Sequence, residues 1–247
     1  MDDVTEIREG VHLARGSDTN WVILTEGDAV TLVDTGYPGD RERVIASLAA
    51  VGRRPEDLAA ILITHAHSDH LGSAEHLRAT YGVPVLMHEE EVPHARREFL
   101  HQVSAGQIAR NAWRPGVLPW AVRAVRSGGL TDVRVAAPEA FPAPLDVPGR
   151  PVPVHTPGHT AGHCAYHLPG AGVLITGDAL VTGHPTSRAR GPQLLPGFFH
   201  HDRDEALVSL RAMERLDADV LLPGHGPAHH GSAAAAAEHA MKQAQAR

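Results

Sequence analysis

The apolar run Ala59-Ala60-Ile61-Leu62-Ile63 passes without a break into Thr64-His65-Ala66-His67-Ser68-Asp69-His70. Five consecutive apolar residues read as a strand covered on both faces, which belongs inside a layered α/β structure. In extended backbone, residues i and i+2 project to the same side. His65 and His67 can therefore grip one metal ion, while Asp69 and His70, on the turning chain, can face a second. A His-x-His-x-Asp-His match arises by accident in roughly one of 150 chains of this composition, so chance explains it poorly.

Three further stretches have the same character. Thr156-Pro157-Gly158-His159-Thr160-Ala161-Gly162-His163 follows the strand read at Val152-Pro153-Val154. Gly177-Asp178 follows Val173-Leu174-Ile175-Thr176, and Pro223-Gly224-His225-Gly226 follows Val220-Leu221-Leu222. Each sets a ligand-type side chain at a strand end, beside glycine that lets backbone approach closely. Loops at strand ends that converge on one point are how a rigid scaffold builds a site. The chain holds 19 His against 3 Trp, 3 Tyr and 4 Phe, and imidazole is the commonest metal ligand.

Several classes are disfavoured. With 22 basic and 29 acidic side chains, a net charge of −7 and 4% aromatics, the chain lacks the basic, ring-rich surface of a nucleic-acid binder. No apolar run approaches the length of a membrane span. The start, Met1-Asp2-Asp3-Val4-Thr5-Glu6, has neither the basic nor the apolar region of a secretory leader. Cys164 is the one cysteine, which excludes an internal disulfide, fits a reducing compartment and reads as a small buried residue. The expectation is a cytoplasmic protein with a small-molecule substrate and no nucleic-acid or membrane partner. A chain of 247 residues should fold to roughly 10,600 Å² of accessible surface.

Patterning gives a coarse order of elements. Trp21–Leu24 and Val30–Val33 read as a hairpin turning at Glu26-Gly27-Asp28, followed by Asp34-Thr35-Gly36. Helices are expected over Arg43–Ala50, stopped by Gly52, and over Ser73–Thr80, stopped by Gly82, with a strand at Val83–Met87. His163–Leu168 reads as a strand, Asp202 and Glu205 as the start of a helix to Leu216, and Ala233–Ala237 as part of a last helix. Phe99–Phe141, with Trp113, Trp120, Pro115 and Pro119, reads as broken helices inserted between strands, serving either as a cover over the site or as a dimer face. In the Val181–His201 loop, His184, Arg188 and Arg190 are candidates for an anionic substrate and Phe198 and Phe199 for a pocket wall; simple coverage of the sheet edge is the other reading. His88 reads as a site-lining or loop residue, and His229, His230 and His239 as solvated surface. The simplest architecture is two packed sheets with helices outside.

On these motifs the chain resembles the metallo-β-lactamase superfamily, in the family's order from Asp34 to His225. The resemblance implies a four-layer αββα sandwich, one domain over residues 1–247 with a helical insertion at 99–141. It implies that His65, His67 and His159 hold one metal, that Asp69, His70 and His225 hold another, that Asp178 bridges them, and that Asp34 supports the ligand loop. Two zinc ions per chain are expected, with iron or manganese as alternatives; imidazoles and carboxylates suit zinc and no thiolate is required. In the secreted β-lactamases with a cysteine ligand, Cys stands where Asp178 stands here. His163 is either a substrate or ligand-supporting contact or a strand-start histidine bonded to backbone.

Two metals about 3.5–4 Å apart imply attack by a metal-bridging hydroxide, with Asp69 and Asp178 as the catalytic carboxylates and Asp69 passing the proton to the leaving group. The implied activity is hydrolysis of a small ester, thioester or lactone. The Pro-Gly-His-Thr-Ala-Gly-His run is most like glyoxalase II and the lactonases, although too little chain follows His225 for the glutathione-binding domain of glyoxalase II. The alternative is an iron-dependent persulfide dioxygenase-like oxidoreductase on the same scaffold. A homodimer through 99–141 is the expected assembly if that segment is an interface.

Overall fold

The computed structural model describes residues 3–245, so Met1 and Asp2 of the acidic start lie outside it, as do residues 246 and 247. The chain begins with an antiparallel meander of β1 (Val4–Arg8), β2 (Val11–Arg15), β3 (Asn20–Glu26) and β4 (Ala29–Val33). The expected hairpin is β3–β4, turning at Gly27 with φ of +57°. The sequence reading missed β1 and β2. β1 is an edge strand with no fully buried residue, so Glu6 and Arg8 dilute its apolar signal.

Crossovers then build a parallel half-sheet. Helix α1 (Arg41–Ala50) leads to β5 (Leu58–Leu62), and α2 (Ser68–Leu71) and α3 (Ala74–Tyr81) lead to β6 (Val85–Met87). Helices α4 (Val92–Ala95), α5 (Ala105–Asn111) and α6 (Val117–Arg126) precede β7 (Pro138–Ala140), which pairs parallel with β6. The 99–141 segment is therefore helical in its middle and ends as the seventh strand of the sheet. The second sheet runs β12-β11-β10-β9-β8, from β8 (Val152–His155), β9 (Cys164–Leu168), β10 (Val173–Gly177), β11 (Val220–Pro223) and β12 (His229–His230). His229 and His230 thus form an edge strand, with only His230 fully exposed. Helix α7 (Arg203–Ser209) starts where Asp202 accepts the amides of Asp204 and Glu205 at 3.0 and 2.9 Å. The chain tightens into a 3-10 helix from Leu210, so the α-helix expected to Leu216 stops early. Helix α8 (Ala233–Gln245) closes the fold.

The period-2 pattern of β5 explains the layers. Ala60 and Leu62 face the second sheet and pack with Val22, Leu24, Tyr166, Ile175 and Leu222. Ile61 and Ile63 face the other way, toward Leu48 of α1 and Leu77 of α3. Leu174 and Leu221 of the second sheet pack against Ala236, Ala237 and Ala240 of α8. The order is helix, sheet, sheet, helix. Polar groups cross-link the sheets: Tyr166 donates to the Ile63 carbonyl at 2.9 Å, and the Asn20 amide group donates to the carbonyls of Pro223 and Gly226 at 2.9 and 2.8 Å. The accessible surface is 10802 Å², close to the size-scaling value. No helix among the described residues is long and apolar enough to cross a membrane.

Gly116 opens α6 with φ of +88°, and a Cβ there would lie 2.0 Å from the Pro185 carbonyl oxygen. Gly27 has φ of +57° and nothing within 4 Å of its would-be Cβ. Gly27→Ala should cost only left-handed strain, about 1–2 kcal/mol. Gly116→Ala should cost more, because α6 must also lift from the 181–201 loop, and Tm should fall by roughly 2–4 °C for each kcal/mol. Thermal melts giving the two variants equal losses would show that α6 does not rest on that loop.

Candidate metal centre

The loops after β5, β8, β10 and β11 meet at one end of the sandwich. His65 and His67 leave β5 in extended backbone, and α2 starts at Ser68, which turns Asp69 and His70 toward the same space. His65 Nε2 lies 3.0 Å and His159 Nε2 3.1 Å from His67 Nδ1. Three nitrogens on one tetrahedral zinc are about 3.3 Å apart, given bonds of about 2.0–2.1 Å, so the triad is within a few tenths of an ångström of a coordination sphere. Asp69 Oδ2 lies 3.8 Å from His70 Nε2 and 3.4 Å from His225 Nε2. Asp178 sits between the two groups: its Oδ2 is 3.5 Å from His159 Nε2 and 3.2 Å from His225 Nε2, and its Oδ1 is 3.5 Å from His70 Nε2. His70 Nε2 and Asp178 Oδ1 are buried without any hydrogen-bond partner. Buried polar atoms are rarely left so, and a cation among these donors satisfies both. The residues fit a metal.

The nitrogen that turns away from the cluster is tied down in each of four histidines, which fixes the one that faces inward. His70 Nδ1 donates to Asp34 Oδ2 at 2.8 Å, and His225 Nδ1 donates to the Asp18 carbonyl at 2.5 Å. His65 Nδ1 donates to Thr64 Oγ1 at 3.1 Å, and His67 Nε2 donates to the His101 carbonyl. Asp34 also accepts the Thr64 amide and hydroxyl, both at 2.8 Å, from a left-handed backbone with φ of +63°. His163 is no ligand: its Nε2 accepts the Asp178 amide at 3.0 Å and its Nδ1 donates to Thr156 Oγ1 at 2.8 Å. It is a backbone-bonded histidine whose backbone partner is Asp178. Gly224 is required nearby, because a Cβ would fall 2.3 Å from Asp178 Oδ1.

Burial depresses the imidazoles around the triad: His65 and His159 fall well below the usual value, His67 to about 4 and His163 to about 3. Burial works against charge on His70 and His225 too, but Asp178 and its acidic neighbours outweigh it, raising His70 to about 9 and His225 well above its usual value. Burial likewise opposes ionisation of Asp69, yet His70 and His225 bring it down to about 2. The site draws positive charge, and a divalent cation would compete with the protons on His70 and His225.

A cavity of about 70 Å³ opens on Asp69, Asp178 and His225, walled by Ile108 of α5, Trp120 and Ala124 of α6, and His184, Leu195 and Phe199. Trp120 meets Phe199 edge-on, with centroids 5.1 Å apart. Trp113, paired with Trp120 in the sequence reading, is 79% exposed and takes no part. In the 181–201 loop, held by a bridge between Val181 and Gln193, His184 reaches the cavity while Arg188 and Arg190 are exposed and do not line it. His184 Nδ1 accepts the Thr186 amide at 3.3 Å; an amide can only donate, so the ring proton sits on Nε2. Cys164 is buried between the sheets, its thiol pushed up to about 12 by burial. His88, Glu90 and His155 form another ligand-type group, but the two rings stack at 4.0 Å with planes 7° apart and cannot both aim a lone pair at one ion. Sequence reasoning missed Asp18, Glu91, His94 and His101 around the ligands; the only local signal was Glu91 and His94 three apart on one helical turn.

Residues 14–225 match the metallo-beta-lactamase superfamily. The probable metallo-hydrolase YflN of Bacillus subtilis is 27% identical over 90% of this chain and 85% of its own length. The exodeoxyribonuclease WalJ of Streptococcus pneumoniae is 41% identical over 78 residues, 32% of this chain, and the chain spans only 28% of WalJ. A solved metallo-beta-lactamase family protein of Thermus thermophilus, TTHA1429, is 26% identical and superposes with a TM-score of 0.69 over 98% of this chain and 81% of that one. With a family match that runs from β2 to the last histidine ligand candidate, the chain belongs to the metallo-beta-lactamase superfamily.

Proposed function

We propose that the protein uses two zinc ions per chain to hydrolyse a small ester, thioester or lactone. The observation that carries this reading is Asp178, whose Oδ2 lies within 3.5 Å of His159 in one triad and 3.2 Å of His225 in the other. When bound, the ions supply a Lewis acid for the carbonyl and a water acidified to near neutrality. Asp69 is the ligand candidate most open to the cavity, its side chain 16% exposed, and as a carboxylate it takes a proton and returns it to the leaving group. The neutral His184 offers Nε2–H to a substrate oxygen. Trp120, Leu195 and Phe199 keep water from the acyl side, the ordinary division of a pocket into apolar walls and a few orienting polar groups.

Elemental analysis of protein prepared without chelator should give two zinc ions per chain, and a screen of acyl thioesters, lactones, β-lactams and phosphodiesters should be positive among the first two. One ion per chain after supplementation would end the dinuclear reading. The same nitrogen and oxygen donors accept iron, so iron with dioxygen consumption would favour the persulfide dioxygenase-like alternative.

Asp178→Ala should lose most activity and one ion, whereas His163→Ala should keep both ions and lose roughly 10-fold or more in activity as the Asp178 amide loosens. The reverse pattern of metal content would exchange the two roles.

Trp120→Ala should raise KM several-fold with metal content unchanged, because it opens the acyl wall, and Trp113→Ala should leave the kinetics alone. Trp113 and the outward Leu118 and Val122 of α6 are exposed and support a homodimer face on the same segment. Sedimentation of Trp113→Ala tests that reading, with an unchanged mass counting against it.

A further inference from the structure

Glu91 is 1% exposed and lies outside the ligand set, yet its carboxylate touches every loop of the three-histidine triad. Its Oε2 accepts the amide of Ala66, the residue between His65 and His67, at 3.3 Å. Its Oε1 accepts the hydroxyl of Thr160, the residue after His159. Its Oε2 also takes Nδ1–H of His94 at 2.8 Å, which leaves His94 Nε2 to accept the His101 amide at 3.3 Å. The carbonyl of that same His101 receives Nε2–H of His67. One carboxylate thus holds the peptide between two ligands, the loop of the third, and, through His94, the group that orients His67. Arg97 completes the clamp by donating to the Ala66 and His94 carbonyls at 2.8 and 3.1 Å. Gly162 lets the His159 loop approach, since a Cβ there would lie 2.5 Å from the Glu91 nitrogen.

The other triad has a different anchor. Asp34 accepts the Thr64 amide, the Thr64 hydroxyl and Nδ1–H of His70. Glu91 accepts the same three kinds of donor: an amide, a hydroxyl and an imidazole N–H. The two carboxylates share the His65 end of β5, where Asp34 takes two of its three bonds from Thr64, but only Asp34 touches His70 and only Glu91 touches the Ala66 peptide, the Thr160 loop and the His94 link to His67.

We propose that Glu91 is a positioning residue for the three-histidine half of the centre, fixing His65, His67 and His159 and so setting that half's affinity for its ion separately from the half anchored by Asp34. The proposal rests on the two-metal reading above. Partners of this kind typically govern metal affinity by 10–100-fold.

The test uses full-length protein stripped by chelator and refilled with Co²⁺ or Zn²⁺ against a chromophoric competitor. Glu91→Gln keeps the side-chain volume but cannot accept from all three donors; one of the two ions should bind 10–100-fold more weakly, with the other unchanged. Thr160→Val, which removes a single bond, should weaken the same ion by less. Asp34→Asn should weaken the other ion most, through His70, and the three-histidine ion less, through Thr64 and His65. In the Co²⁺ protein, the shifted exchangeable imidazole N–H signals of His70 and His225 should persist in Glu91→Gln while that of His67 moves, a signature that a general loss of stability would not produce. Wild-type affinities and spectrum in Glu91→Gln, or equal weakening of both ions by Glu91→Gln and Asp34→Asn alike, would overturn the proposal while leaving the two-metal reading intact. A wild-type chain that takes up no ion would overturn both.

Discussion

Five imidazoles and two carboxylates turn their free atoms into one nearly dry space, and the rest of the molecule is arranged to make that tolerable. Removing such groups from water costs several kcal/mol for each ion unless every lone pair and proton finds a partner. Four of the five outward nitrogens find theirs in Asp34, Asp18, Thr64 and His101, and Nδ1 of His159 is buried without one. The inward atoms have one another, and His70 Nε2 and Asp178 Oδ1 have nothing. The two-sheet sandwich contributes by bringing four strand ends to one place. Gly224 and Gly162 let the loops close to distances that any side chain would forbid.

The two anchoring carboxylates show how such a site is held without being rigid everywhere. Asp34 stands at the end of β4 in a left-handed conformation that a non-glycine residue adopts only when its surroundings compensate. Three donors to its carboxylate do so. Glu91 follows β6 in a short 3-10 turn, where burial opposes its charge but the bonds from His94 and Thr160 hold its pKa below the usual carboxylate range. The cavity walls are built differently: α5, α6 and the 181–201 loop line it mainly with apolar side chains, while the ends of that loop also bind the ligand backbones, the Thr182 amide donating to the His225 carbonyl and the His201 amide to the His159 carbonyl, both at 3.1 Å. The 181–201 loop thus couples the shape of the cavity to the backbones of His159 and His225.

What could be read from the sequence follows the range of the interactions. The His-x-His-x-Asp-His block was legible because strand periodicity and a helix start act over neighbours, and the structure does gather its four side chains with His159, Asp178 and His225. The layers were legible in the alternation of Ala60 and Leu62 with Ile61 and Ile63. Glu91 was not legible, because its partners Ala66 and Thr160 are brought to it only by tertiary folding. Trp113 and Trp120 look equivalent in sequence, and only the fold separates Trp113, exposed in the turn between α5 and α6, from Trp120, on the cavity side of α6. Arg188 and Arg190 misled for the same reason: a loop's composition does not say which side it turns inward.

Each triad draws on both sheets. His65 and His67 follow β5 while His159 lies between β8 and β9; Asp69 and His70 belong to the first sheet's loops while Asp178 and His225 follow β10 and β11. The chain is synthesised from the N-terminus, so the His65–His70 block is made before His159, Asp178 and His225. Until the second sheet has docked, the block is an incomplete and weak chelator. A metal held by these four loops would therefore add its binding free energy only once both sheets have formed, and its uptake would record that the two halves of the chain have met in register.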